Sequence, residues 1–224
     1  MTPNPVRLEV RCAVFRIGAP AGLPDPQLQV LLVPTGVEDR WELPGGPIEG
    51  DAELADTALT CLRDQAGAGE VAHLEQLEVF SAPRRIPGGR TVASTYLGLV
   101  RPDAPADGAA WHAIDALPDL VADHAEIVTT ARHRLAGKLS YTNIAFALAP
   151  AEFPMSELSE IYGAALGYPV DTTNLLRILS RRAVITATGG VRRTRGGGRP
   201  PALYRFTDSS LRVTDEFATL RPPL

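Results

Sequence analysis

The chain has 224 residues, 45% of them hydrophobic and 21% charged, which supplies enough apolar material for a packed core and excludes wholesale disorder. Its 22 Lys and Arg against 26 Asp and Glu give a formal net charge of −4, on its face an argument against a polyanionic partner. That average conceals a division. Residues 171–205 carry eight Arg, no Lys and one acid, a local charge of +7 that leaves −11 on the remainder. A basic segment joined to an acidic body implies at least two functional parts, and at about 150 residues per domain the length allows one large or two small ones.

The two cysteines, Cys12 and Cys61, lack metal-like or redox spacing, so a reducing compartment is expected and a disulfide framework is not. The histidines, His73, His112, His124 and His133, form no close pair and are read as structural. The first residues lack the charged start and apolar run of a signal peptide. No stretch approaches the ~20 apolar residues of a membrane span. A cytoplasmic protein without a membrane partner is expected.

Residues 6–16 (VRLEVRCAVFR) mix alternation with β-branched side chains and are predicted as a strand, and 28–33 (LQVLLV) as a buried one. Residues 41–46 (WELPGG) read as a strand end running into a glycine-rich turn. An amphipathic helix is predicted over 53–65, with Leu54, Ala58, Leu59 and Leu62 on its inner face and Gly67 as its stop. Residues 71–81 and 91–100 read as strands separated by a basic loop over 83–90, and 111–113 as one more. Strands wrapped around a helix make this part α+β.

From residue 121 the pattern turns helical, with Ile127, Val128, Ala131 and Leu135 at helical spacing and Gly137 near the end. A short helix is predicted over 142–148, followed by one that opens at Pro154, is capped by Ser156 and runs to Leu166. Residues 167–170 form a tight turn. Asp171 caps a further helix through about Arg182, with Leu175, Ile178 and Leu179 inward. Then come Val184-Ile185-Thr186, a Gly-Gly turn at 189–190, residues 191–195, a glycine run and the strand 202–206. Helix, glycine-containing turn, helix and two strands joined by a basic loop make a helix-turn-helix with a wing.

Such a second helix presents its N-terminal polar residues to base edges in the major groove, here Thr172, Thr173, Asn174 and Arg177. Arg181 and Arg182 also fall away from its apolar side. In the wing, Arg192, Arg193, Arg195 and Arg199 suit phosphates or a narrow minor groove, and arginine in place of lysine favours bidentate contacts. A merely solvated basic face would leave the mutual repulsion of these arginines unexplained. RNA is disfavoured, because no platform of clustered aromatics is present.

Leu43-Pro44-Gly45-Gly46, followed by Glu49 and a helix ending at Gly67, resembles the Nudix box: Gly, five residues, Glu, seven residues, Arg-Glu, an aliphatic, any residue, Glu-Glu, any residue, Gly. Laid from Gly46, the pattern reaches Gly67 without a gap. Its chemistry-bearing positions do not match. The first Glu falls on Ala52, the Arg-Glu pair on Thr60-Cys61 and the Glu-Glu pair on Asp64-Gln65. Pairing Arg63-Asp64 with Arg-Glu instead puts Gly67 where a ligand carboxylate belongs. Nudix hydrolysis needs divalent cations held by clustered carboxylates, and a cysteine is a poor substitute for hard oxygen ligands. The expectation is a pocket that binds but does not catalyse, with no catalytic residues, no metal ligands and no required cofactor. Trp41 would stack on a base or line the pocket, Arg85 and Arg90 would clamp a diphosphate, and Glu49 and Tyr96 would complete the pocket.

A degenerate Nudix domain, a connecting helix around residues 123–127 and a winged helix with Gly-Gly-Gly-Arg-Pro before Tyr204 resemble the NrtR family of Nudix-related regulators. The resemblance implies an α+β chain: a Nudix-like α/β/α sandwich over 1–137, including the connecting helix, then a winged helix-turn-helix over 138–224. It further implies a homodimer on a palindromic double-stranded DNA operator, repression of genes of NAD synthesis or salvage, and ADP-ribose or a related nucleotide as effector. The alternatives are an active ADP-ribose diphosphatase with a helical appendage and a protein-interaction adaptor.

Overall fold

Alternation fails in the middle of residues 7–18, where Val10, Cys12, Ala13, Val14 and Phe15 are all fully buried, and this makes β1 (Arg7–Gly18) an interior strand covered on both faces. The structure, a computed structural model, describes residues 5–19, 25–37, 39–192 and 200–216. It divides into two units, Met1–Arg16 with Leu28–Arg134, and Ile17–Gln27 with Leu135–Leu224.

After β1 come β2 (Gln27–Pro34), β3 (Arg40–Glu42), β4 (Gly45–Pro47), α1 (Leu54–Ala66), β5 (His73–Phe80), β6 (Thr91–Leu99), β7 (Ala110–Ala113) and β8 (Asp119–Leu120). The strands form one sheet in the order β5-β6-β1-β2-β3-β8, with β4 added to β1 and β7 to β2. β6 lies parallel to β1 from Arg7↔Thr91 to Phe15↔Leu99, so these two largely buried strands are neighbours inside the sheet.

Two sequence expectations change here. Gly45-Gly46 is not a turn but part of β4, antiparallel to β1. A Cβ on Gly45 would lie 2.1 Å from the Val10 carbonyl oxygen, so only glycine lets the strand approach this closely. The inner face of α1 also differs: Ala58, Leu62 and Ala66 are buried, whereas Leu54 and Leu59 are 37% and 39% exposed. Ala58, Leu62 and Ala66 recur every four residues, and that line packs on Val10, Cys12, Val14, Leu31 and Tyr96. Gly67 ends the helix as expected, in the left-handed region at φ 61°, with its N–H on Arg63 O and that of Ala68 on Leu62 O.

α2 (His124–Tyr141) runs through Gly137 without stopping, burying Ile127, Val128, Ala131, Leu135 and Leu139. A 3-10 turn (Ile144–Ala147), β9 (Phe153–Pro154), α3 (Met155–Leu166), α4 (Thr172–Arg181), β10 (Ile185–Val191) and β11 (Ala202–Phe206) follow. Ser156 does not cap α3. Pro154 holds the N-cap position, no side chain bonds there, and Ser156 lies exposed in the first turn. Asp171 does cap α4, its Oδ1 accepting from the Asn174 N–H at 2.7 Å. The Gly189-Gly190 pair is a bulge within β10, not a turn: the register with β11 shifts between Ala187 and Val191, with Gly189 at φ 79°. β9 completes a three-stranded sheet, β10-β11-β9, where Phe153 meets Phe206 with ring centroids 5.3 Å apart.

Candidate nucleic-acid interface and ligand pocket

Within the second unit, α4 divides cleanly by side. Leu175 and Leu179 are buried, while Thr173, Asn174, Arg177, Ser180 and Arg181 are exposed. The exposed residues follow helical spacing, so they form one polar stripe bearing two arginines. Arg177 Nη2 donates to Asn174 Oδ1 at 2.7 Å. Among the described residues, neither Arg177 nor Arg181 meets a carboxylate in an ion pair.

The other candidates fare differently. Thr172 turns inward, its hydroxyl 2.8 Å from that of Ser159 on α3, which ties the two helices together. Arg182 also leaves the stripe. Its side chain is 13% exposed and bridges Asp215 at 2.5 Å and the Ser140 carbonyl at 2.9 Å. It therefore fastens the end of α4 to the end of α2 and to the segment after β11. That segment is pinned further by Asn143, which donates to Ser210 O and accepts from the Arg212 N–H, and by Tyr141 O, which accepts from Thr214 and Asp215. Arg192, at the root of the wing, pairs with Glu157 at 2.6 Å and remains 45% exposed. Arg193, Arg195 and Arg199 lie outside the described residues.

In the first unit, charged side chains converge on the start of β1. Glu9 accepts from Arg11 at 3.2 Å and from Arg85 at 2.5 Å; Arg85 also grips Asp123 through two bonds of 2.8 and 2.7 Å, and Arg11 reaches Glu42 at 2.8 Å. The Arg85 side chain is 1% exposed. Burial alone would lower its pKa, but its bonds to Asp123 and Glu9 raise it. Arg85 is thus an internal counter-ion with three donors engaged. Beside it, His124 Nδ1 accepts from the Leu43 N–H at 3.0 Å, and burial, reinforced by the Arg11 charge, pushes its pKa down to about 3. His124 is therefore neutral at pH 7.

Of the other pocket candidates, Trp41 is half-buried in β3 and meets His112 edge-on at 4.5 Å. Glu49 is exposed just after β4. Arg90 is half-buried, and its Nη1 is sealed from solvent without a hydrogen-bond partner. Tyr96 is 6% exposed and belongs to the core under α1, not to a pocket wall. β1 brings Glu49 and Arg90 to its two flanks, since Ile48 N–H bonds Leu8 O and Arg7 N–H bonds Arg90 O. A cavity of about 780 Å³ opens nearby, lined by Phe80, Arg84, Arg85, Asp123 and Glu126 among others. Only Arg85 of the five candidates lines it. The sequence reading missed Glu9, Arg11, Glu42, Asp123 and His124. The signal was present in VRLEVRCAVFR, where charges at every second position share one face of the strand.

The Nudix-box positions can be placed individually. Asp64 is exposed and paired with Arg63 at 2.9 Å. Gln65 accepts from the Gly45 N–H at 3.0 Å and donates to the Gly45 carbonyl at 2.8 Å. Among the described residues, no group of three or more His, Cys, Asp or Glu is arranged to hold a metal ion. No helix among them is long and apolar enough to cross a membrane.

Comparison with known proteins joins these halves. Residues 145–206 match the family described as the NrtR DNA-binding winged helix domain. Over 217 residues the chain is 29% identical to the ADPR-responsive transcriptional repressor NtrR of Acinetobacter baylyi, covering 91% of this chain and 83% of that one. The crystal structure of Shewanella oneidensis NrtR complexed with a 27mer DNA is similar at TM-score 0.74 and 27% identity, covering 89% of this chain and 93% of that chain. A MutT/nudix family protein from Enterococcus faecalis shares the fold at TM-score 0.70 and 20% identity, covering 92% of this chain and 90% of the other. The chain therefore has a Nudix-like fold in its N-terminal part, followed by a winged helix similar to a DNA-binding family. Over most of its length the chain is similar to NrtR regulators, and within residues 145–206 it matches their winged helix domain.

Proposed function

We propose that this chain is a cytoplasmic, effector-responsive transcriptional repressor that binds a palindromic DNA operator as a homodimer and controls genes of NAD synthesis or salvage. One observation carries the DNA half of this reading: an NrtR-type winged helix whose exposed α4 stripe holds Arg177 and Arg181 without carboxylate partners. An uncompensated basic stripe on a recognition helix suits a polyanion, with Thr173 and Arg177 at the base edges and Arg192 reaching phosphate from the wing. A dimer would set two such helices ~34–36 Å apart on the duplex.

For the effector we propose ADP-ribose or a related nucleotide, bound in the N-terminal domain over 1–137. Support comes from the responsiveness of the A. baylyi relative to ADPR and from Arg90, whose buried, unpartnered Nη1 would donate to a diphosphate oxygen. The effector must bind the DNA-incompetent state more tightly, with a coupling of ~1–3 kcal/mol.

The competing reading, a magnesium-dependent diphosphatase, fits the residues poorly. The Gln65 amide stands where the Nudix pattern has a carboxylate, and it is engaged on both sides by Gly45. Ala52, Thr60 and Cys61 offer no carboxylate, and Asp64 by itself is too small a cluster for a divalent cation. Incubation with ADP-ribose and magnesium, followed by assay for AMP, decides between the two. The regulator reading expects ADP-ribose to be recovered intact, and robust turnover would overturn the binding-only assignment.

A further inference from the structure

We infer that Arg177 reads a guanine in each half of the operator, and that Asn174 positions Arg177 and is not itself a base reader. This rests on the DNA-binding reading above and adds to it the identity of a base and a division of labour between two residues.

The geometry points one way. Asp171 Oδ1 holds the Asn174 N–H at 2.7 Å, fixing the first turn of α4, and Asn174 Oδ1 in turn accepts from Arg177 Nη2 at 2.7 Å. Residues three apart on a helix are surface neighbours, so the pair can persist without distorting the backbone. An asparagine that reads adenine must offer its carbonyl oxygen to the adenine N6 amino group while its amide donates to N7. Here that oxygen already spends one of its two lone pairs on a guanidinium, a stronger donor than the adenine amino group. Turning the amide over would set its NH2 against the guanidinium N–H groups, donor against donor, so the orientation is dictated by chemistry. Arg177, by contrast, spends one of five donors on Asn174 and keeps the rest, enough for the parallel pair that guanine O6 and N7 accept. Holding the guanidinium in advance also reduces the side-chain freedom lost on binding. Arg177 differs here from Arg182 and Arg192, which meet carboxylates within the same unit. Its partner is a neutral amide, so its charge stays available to DNA.

The test is selection of duplexes from a random library by the full chain, by Arg177→Ala and by Asn174→Ala, followed by fluorescence anisotropy on the enriched sequence at two salt concentrations. The wild-type chain should enrich a consensus with a guanine in each half. Replacing that guanine by adenine should weaken wild-type binding ~5- to 150-fold and leave Arg177→Ala indifferent to the change. Asn174→Ala should keep the guanine preference but discriminate several-fold less, without relaxing at any A·T pair. Arg177→Lys, which keeps charge but loses the planar fork, should retain the salt dependence and lose part of the discrimination. A consensus whose guanines survive Arg177→Ala, or an adenine preference abolished by Asn174→Ala, would overturn the inference while leaving DNA binding intact. If no sequence is enriched, both this inference and the DNA-binding reading fall.

Discussion

Arginine plays opposite parts in the two units. At the start of β1, Arg11 and Arg85 face Glu9, Glu42 and Asp123, and the Arg85 guanidinium is sealed inside its ion pairs. On α4, Arg177 and Arg181 stand exposed and form no ion pair with a carboxylate among the described residues. The first arrangement consumes charge to hold loops together; the second leaves it available to a partner. What separates them is where the fold puts the acids, which no count of basic residues can reveal. The eight arginines of residues 171–205 are themselves mixed, since Arg182 belongs with Asp215 and Arg192 shares Glu157.

Removing an arginine from each setting should therefore damage different properties. Arg85→Ala would strand the largely buried Asp123 without its counter-ion and leave Glu9 with Arg11 alone, and should cost ~3–5 kcal/mol in urea unfolding. Arg177→Ala should leave unfolding unchanged within ~0.5 kcal/mol, its whole effect lying in DNA binding. A loss of stability at Arg177 equal to that at Arg85 would erase the distinction.

The intermediate cases sharpen it. Gln65→Glu restores a carboxylate to a Nudix-box position but removes the donor that Gly45 O now accepts, and should cost ~1–3 kcal/mol without conferring hydrolysis of ADP-ribose. Appearance of AMP in that variant would show that the cluster is one residue from working. Asp171→Ala should cost ~0.5–2 kcal/mol through the lost cap, a local effect readable by thermal unfolding.

His124 gives the first unit a pH dependence that the stripe on α4 lacks. Its pKa falls from the ordinary 6.5 to about 3 in the folded protein, so between those values the unfolded chain binds more protons. The stabilising contribution of the neutral ring is complete above about pH 6.5 and is lost as the pH falls toward 3, at up to ~1.4 kcal/mol per unit. Urea midpoints at pH 7 and pH 5 should diverge in the wild type and converge in His124→Phe. Equal divergence in both would assign the acid sensitivity to other groups.

Local features were the legible ones. Asp171 as a cap, Gly67 as a helix stop and the apolar spacing of α2 and α4 depend on residues a few positions apart, and the structure shows each of them. What escaped the sequence depends on distant partners. Gly45-Gly46 reads as a turn until Val10, 35 residues earlier, demands a strand with no Cβ. Arg182 looks like its neighbours on the helix until Asp215, 33 residues on, takes it inside. Tyr96 reads as a pocket residue because its strand follows the basic loop, whereas the sheet buries it, and Arg85 reads as a free cation, whereas Glu9 and Asp123 neutralise it. β9 has only two residues and carries no pattern of its own.

In the proposed function, one chain joins a nucleotide-responsive domain to a DNA-reading one. The most direct test titrates the selected operator duplex with the full chain at fixed salt, with and without ADP-ribose, and afterwards measures the nucleotide recovered. Specific binding should weaken ~5- to 150-fold when ADP-ribose is present, with the ADP-ribose intact. Operator affinity that does not respond to ADP-ribose, or ADP-ribose returned as AMP, would contradict the proposed function.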